Sequence, residues 1–120
     1  PLHTTATGKL FLAEDSSPEV RDYATRTGLP GATQASLTSL TALETDLAQV
    51  RNAQLAYDME EVENGVRCIA AGIRDDLGKL VAGLSLSTPV ERFNPDWASI
   101  VKATAAEISR ALGYVAHSRP

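Results

Sequence analysis

The chain has 120 residues, of which 43% are hydrophobic, 22% charged and 5% aromatic, with a formal net charge of −4. That length holds one domain with a modest core, and an acidic balance without a basic cluster excludes a nucleic-acid grip by these residues, because phosphate binding needs concentrated Lys and Arg. A lone cysteine excludes an internal disulfide, and no apolar run approaches the ~20 residues of a membrane span, so a soluble, cytoplasmic protein with no membrane partner is expected.

In chain order, "HTTATGKLFLA" (3–13) reads as a helix with small residues in its first turns. No signal-peptide pattern precedes it, and the chain opens at Pro1 on an element already under way, which points to a piece of something longer. A second helix is expected from Ser17 as cap, with Pro18 first in the helix and Glu19 at the positive end of the dipole, ending at Gly28 with Pro30 beyond. "GATQAS" reads as a loop or short edge strand. The clearest amphipathic helix covers 39–53, through Leu40, Leu43, Leu47 and Val50, with Thr41 and Glu44 spaced for a capping box.

"QLAYDM" is a short strand candidate, followed by the acidic loop "EEVEN". Two strands, about 66–74 and 79–87, flank the turn signal "DDLG". Asn94 and Pro95 open a last helix to about Gly113, with Trp97, Ile100, Val101, Thr104, Ile108, Ala111 and Leu112 along its apolar face. The order of elements implies an α+β fold, an antiparallel sheet flanked by helices. Three strands are few for such a sheet, so partner strands are expected upstream of Pro1.

Alternation along the hairpin gives its two faces different chemistry. Val66, Cys68 and Ala70 share one face, while Arg67, Ile69 and Ala71 share the other. On the next strand Leu80, Ala82, Leu84 and Leu86 form an apolar set, opposite Val81, Gly83, Ser85 and Ser87. A face of Ser, Gly, Cys and Ala leaves room above it, and its hydroxyls need partners. A small polar ligand would supply them; solvent, backbone bonding and a buried structural thiol are the alternative readings.

These segments, in order, resemble the effector-binding domain of the IclR family of bacterial transcriptional regulators. His3, Thr5, Ala6, Gly8 and Lys9 match its first-helix motif, and "GLPGAT" its Gly-Leu-Pro loop. "DMEEVENGVRCIAAGIRDDLGKLVAGLSLSTP" carries Glu60 and Glu61, then Gly-x-Arg-Cys-x-Ala-Ala, then Ser-x-Ser-x-Pro, and "AAEISRALGY" resembles the closing helix. The resemblance implies a GAF-like antiparallel sheet flanked by helices, here lacking its early part. Residues 1–120 would then be a partial effector domain with no DNA-binding domain. It implies a small carboxylate metabolite as ligand, homodimers or tetramers, and operator DNA bound only through an absent N-terminal winged helix-turn-helix. Carried over by position, the ligand-binding residues would be Ala6, Thr7, Asp58, Val66, Cys68, Ser85 and Ser87. Some members have Gly and Ala where this chain has Ala6 and Thr7, which puts the ligand's size and orientation in question.

A carboxylate needs convergent donors more than a full positive charge. Ser85, Ser87 and the amides of the first helix could supply them, at ~1.5–3 kcal/mol per bond to a charged group. Ionised Asp58 accepts only and suits a ligand hydroxyl; Cys68 would be a weak donor and shape element. Arg67, on the other face, is expected to pair with Glu60 or Glu61 and hold the loop, and His3 to cap or anchor the first helix. No cofactor or metal is called for, because one Cys, one His and one Asp lack ligand spacing. Two further readings stand beside the sensor: an assembly module whose pocket is filled by side chains, and a thiol hydrolase using Cys68, His3 and Asp58, for which no feature that would depress the thiol pKa is evident.

Overall fold

The computed structural model describes residues 2–115 of the chain. Helices α1 (Ala6–Ala13), α2 (Ser17–Thr27) and α3 (Leu40–Ala53) are followed by strands β1 (Ala56–Met59), β2 (Val66–Arg74) and β3 (Leu80–Pro89). A short 3-10 turn (Val90–Arg92) leads into α4 (Trp97–Ala111). The three strands form one antiparallel sheet in the order β1-β2-β3. This is the α+β arrangement expected from the order of elements. No helix among the described residues is long and apolar enough to cross a membrane.

The helix starts correct three details. α1 begins at Ala6 rather than residue 3, because Thr5 takes an extended backbone and its side chain accepts from the Gly8 amide. Ser16, not Ser17, caps α2. Its hydroxyl accepts from the Glu19 amide while its own amide donates to Glu19 Oε1 at 2.9 Å, a reciprocal box that places Ser17 and Pro18 in the first turn. In α3 the cap is Ser39, which accepts from the Ala42 amide, so Thr41 already lies in the helix and the Thr41–Glu44 box does not form. Leu43, Leu47 and Val50 are buried as their spacing predicts. "GATQAS" is a loop, closed by Ser36 Oγ accepting from the amides of Ala32 and Thr33.

The sheet is covered on both faces. On one side Ala70 and Leu80 join Leu10, Leu12, Val20, Leu43, Leu47 and other residues of the α1–α3 layer. On the other, Ile69, Ala71 and Ile73 pack with Val101 and Ala105 of α4. β2 therefore serves two cores. Leu80 departs from the expected alternation. Ile73 pairs with Ala82 but Arg74 pairs with Leu80, so Val81 is an extra residue and Leu80 turns to the α1–α3 side. Asp75 organises the hairpin turn, its Oδ1 accepting from the amides of Leu77 and Lys79.

The buried line of α4 runs through Val101, Ala105 and Ser109, with Trp97 packed beside it. Ala105 allows a close approach to the sheet, and Ser109 Oγ accepts from the Arg74 amide at 2.9 Å. The bulkier residues expected on this face turn outward instead: Ile100 is 61% exposed, Leu112 49% and Ile108 37%.

Candidate functional site

Four local features bring α1 down onto the sheet. Thr5 caps the helix, leaving the Ala6 and Thr7 amides in the first turn, where helical geometry supplies no intrahelical acceptor. Gly8 fits where a Cβ would stand 2.5 Å from both Leu2 O and Thr5 Oγ1. Gly83 on β3 does the same beneath the helix, since a Cβ there would lie 3.0 Å from Thr7 Cγ2. His3 anchors the entry to the helix. Its Nε2 donates to Pro30 O at 2.8 Å, which leaves Nδ1 to accept from the Tyr23 hydroxyl at 2.9 Å.

The antiparallel register then aligns the polar residues. Asp58 stands opposite Cys68, Cys68 opposite Ser87, and Ala70 opposite Ser85. Asp58, Cys68 and Ser87 thus form one row across all three strands, with Cys68 Sγ 3.1 Å from Ser87 Oγ. Above this row is a cavity of about 250 Å³. All seven residues named from the sequence line it: Ala6, Thr7, Asp58, Val66, Cys68, Ser85 and Ser87. Thr5 completes the floor, and Val62 and Glu63, from the loop between β1 and β2, complete the wall.

Among the described residues, the lining carries no Lys or Arg side chain. Its donors are hydroxyls, a thiol and helix amides. Burial pushes the Cys68 thiol above its ordinary value; the Ser87 hydroxyl opposes that push and the Asp58 carboxylate adds to it. The thiol therefore stays protonated near neutral pH, a poor nucleophile. With both His3 ring nitrogens engaged elsewhere, the Cys-His-Asp triad considered from the sequence is not assembled. A volume of this size fits a small metabolite and falls below that of drug-sized pockets.

The expected pairing of Arg67 with Glu60 is present, and a second, buried pair that the sequence reading did not foresee also supports the loop. Arg67 was expected to hold it through Glu60 or Glu61. Its Nη2 lies 3.9 Å from Glu60 Oε2, and the guanidinium sits over the Phe93 ring, 5.4 Å from its centroid. Glu61 pairs instead with Lys9, whose Nζ lies 2.7 Å from Glu61 Oε2. The signal was available: Lys9 shares a helix face with Ala6, Leu12 and Ala13, and a lysine in an apolar stripe implies a buried partner.

A second cleft, of about 450 Å³, lies between α4 and β2 and is lined by Arg74, Lys102 and Arg110 among others. Two of its cations have partners within the protein: Arg74 makes a two-pronged ion pair with Glu14, and Lys102 donates to Ala53 O. The smaller cavity is the better candidate, because its polar groups converge across three strands and a helix.

Comparison with known proteins fits this geometry. Residues 1–110 match the family model described as bacterial transcriptional regulator IclR C-terminal. The chain is 37% identical over 121 aligned positions to the HTH-type transcriptional repressor AllR of Escherichia coli K12, covering 98% of this chain and 45% of that protein. It thus spans about half the length of that curated relative. Among solved structures, the C-terminal domain of the E. coli regulator KdgR superposes with a TM-score of 0.84 at 36% identity, covering 95% of this chain and 72% of that one. The inducer-binding domain of a PobR double mutant from Acinetobacter, in complex with 3-hydroxybenzoic acid, superposes with a TM-score of 0.82 at 29% identity, covering 91% and 65%. Motif order, fold and these matches agree: the chain belongs to the IclR family of bacterial transcriptional regulators, and corresponds to its C-terminal domain.

Proposed function

We propose that this domain senses a small organic acid bound in the cavity between the N-terminus of α1 and the Asp58–Cys68–Ser87 row. The convergence of two serine hydroxyls with the first-turn amides of α1 carries this reading, because together they offer several donors to one carboxylate without a cation. Asp58 accepts from a ligand hydroxyl, and Cys68 shapes the floor. The PobR inducer-binding domain, of the same fold, binds a hydroxylated aromatic acid, which supports the ligand class. Binding would act on transcription by favouring one arrangement of paired DNA-binding domains, through differential affinity for the two states. We assign DNA contact to an N-terminal domain outside these 120 residues.

Self-association belongs to the same proposal. Outward-facing Ile100 and Ile108 on α4, with Leu112 at its C-cap, offer apolar surface for a homodimer or tetramer.

The test is a thermal-shift screen of the chain against small carboxylates, since a binder selective for the folded state raises the midpoint by mass action. Ser85→Ala combined with Ser87→Ala should abolish the shift given by the best acid while leaving the unliganded midpoint within a few degrees. An undiminished shift in that double variant would sink the pocket assignment.

A further inference from the structure

The buried ion cluster beneath the loop extends the sensing proposal. Lys9 is 1% exposed although it carries an ammonium. Its Nζ donates to Tyr57 O on β1 at 2.7 Å and to Glu61 Oε2 in the β1–β2 loop at 2.7 Å, and it forms an ion pair with Asp46 Oδ2 on α3, 2.6 Å away but outside hydrogen-bond geometry. Lys9 lies on the same helix as Ala6 and Thr7, within one turn of the cavity floor.

Glu61 is the other half. Its side chain accepts from Lys9 and from the Met59 amide, and its own amide donates at 2.7 Å to Asp58 Oδ1, on the cavity wall. Its carbonyl and that of Glu60 accept from Ser36 and Thr33. The next two residues, Val62 and Glu63, face the cavity. Glu60 holds a left-handed backbone, φ 64°, a conformation that a residue with a side chain keeps only where its surroundings enforce it. The loop is thus fixed from below by a buried charge while its outer residues close the cavity.

We propose that Lys9 and Glu61 form a buried latch that holds the 60–65 loop as a wall of the ligand cavity, which makes Lys9 a positioning residue for the site. The proposal rests on the sensing reading only for its purpose. The latch itself is tested without any ligand, so that its failure and that of the ligand assignment are told apart.

The experiment compares the wild-type chain with Lys9→Met and Glu61→Gln by residue-resolved amide hydrogen exchange and by the rate at which a small maleimide labels Cys68, the only cysteine. A latch predicts that the Glu61 amide exchanges at least tenfold faster, and that Cys68 labels several-fold faster, while the Ile69 amide at the centre of the sheet is unchanged. Equal acceleration at Glu61 and Ile69 would mean that the cluster only adds to global stability, and the proposal falls. Unchanged exchange at Glu61 also overturns it. Should a single variant fail to fold, Lys9→Met with Glu61→Leu removes both members of the pair and is read by the same criteria.

Discussion

Thr7 of α1 rests directly on Gly83 of β3, where an added Cβ would meet Thr7 Cγ2 at 3.0 Å and Leu10 Cδ1 at 3.2 Å. Gly83→Ala should therefore lift the N-terminal turn of α1 by a few tenths of an ångström. Overpacking of this kind destabilises by about 1–3 kcal/mol. The expected outcome is a lower urea midpoint with an unchanged slope, and weaker binding of any acid found in the carboxylate screen. A neutral variant would show that the helix has slack at this contact.

Asp58 has a structural partner as well as a place on the cavity wall. Asp58→Ala leaves the buried Glu61 amide without its acceptor, at a cost of about 1–3 kcal/mol. Asp58→Asn retains an oxygen at the same position and should lose less than half as much. Chemical denaturation of the two variants separates the acceptor role from the charge.

Two carboxylates should give pH dependences of opposite sign. Burial holds Glu61 above its ordinary 4.5, despite the opposing pull of Lys9 and the Met59 amide. Its folded-state proton is thus bound more tightly than its unfolded one, so its contribution is fully present below about pH 4.5 and is lost as pH rises through the folded value. Glu14 is held below 4.5, first by its hydrogen bond to Arg74, so its contribution is present above about pH 4.5 and is lost as pH falls through the folded value. The Glu14 side chain is 40% exposed, which limits that contribution to about 0.5–1 kcal/mol. Denaturation between about pH 3 and 7 checks both. Relative to wild type, Glu61→Gln should gain as pH rises, whereas Glu14→Gln should close its deficit as pH falls.

The start of α2 offers a sharp contrast between neighbours. Ser16→Ala removes the capping box and should destabilise by about 1 kcal/mol. Ser17→Ala, one residue into the helix, should be neutral or slightly favourable. Equal effects would place the cap elsewhere.

Local patterns made most of this legible beforehand. The hairpin register and the alternation of Cys68, Ser85 and Ser87 follow from a period of two, whereas the full set of seven came from the family resemblance; its strand residues meet at one cavity because the strands pair without a shift along that stretch. Where the shift does occur, past Ile73, the pattern misplaced Leu80. The α4 face was misread for a related reason. Hydrophobicity alone favours Ile100 and Ile108, but the contact line is chosen by how closely the backbones approach, and Ala105 and Ser109 allow more. Lys9 pairs with residues 37 and 52 positions away, a separation that no local period encodes.

The lack of a cation around the cavity has a consequence for selectivity. An anion held there by hydroxyls and helix amides gains from short-range dipoles, so its affinity should depend little on ionic strength, unlike that of a site built on exposed ion pairs. A second negative charge on the ligand would stand beside Asp58 or Glu63 with nothing to neutralise it. The cavity should therefore prefer monocarboxylates to dicarboxylates of similar size. In the proposed site the sign of the wall would do the discriminating that a larger pocket would leave to shape.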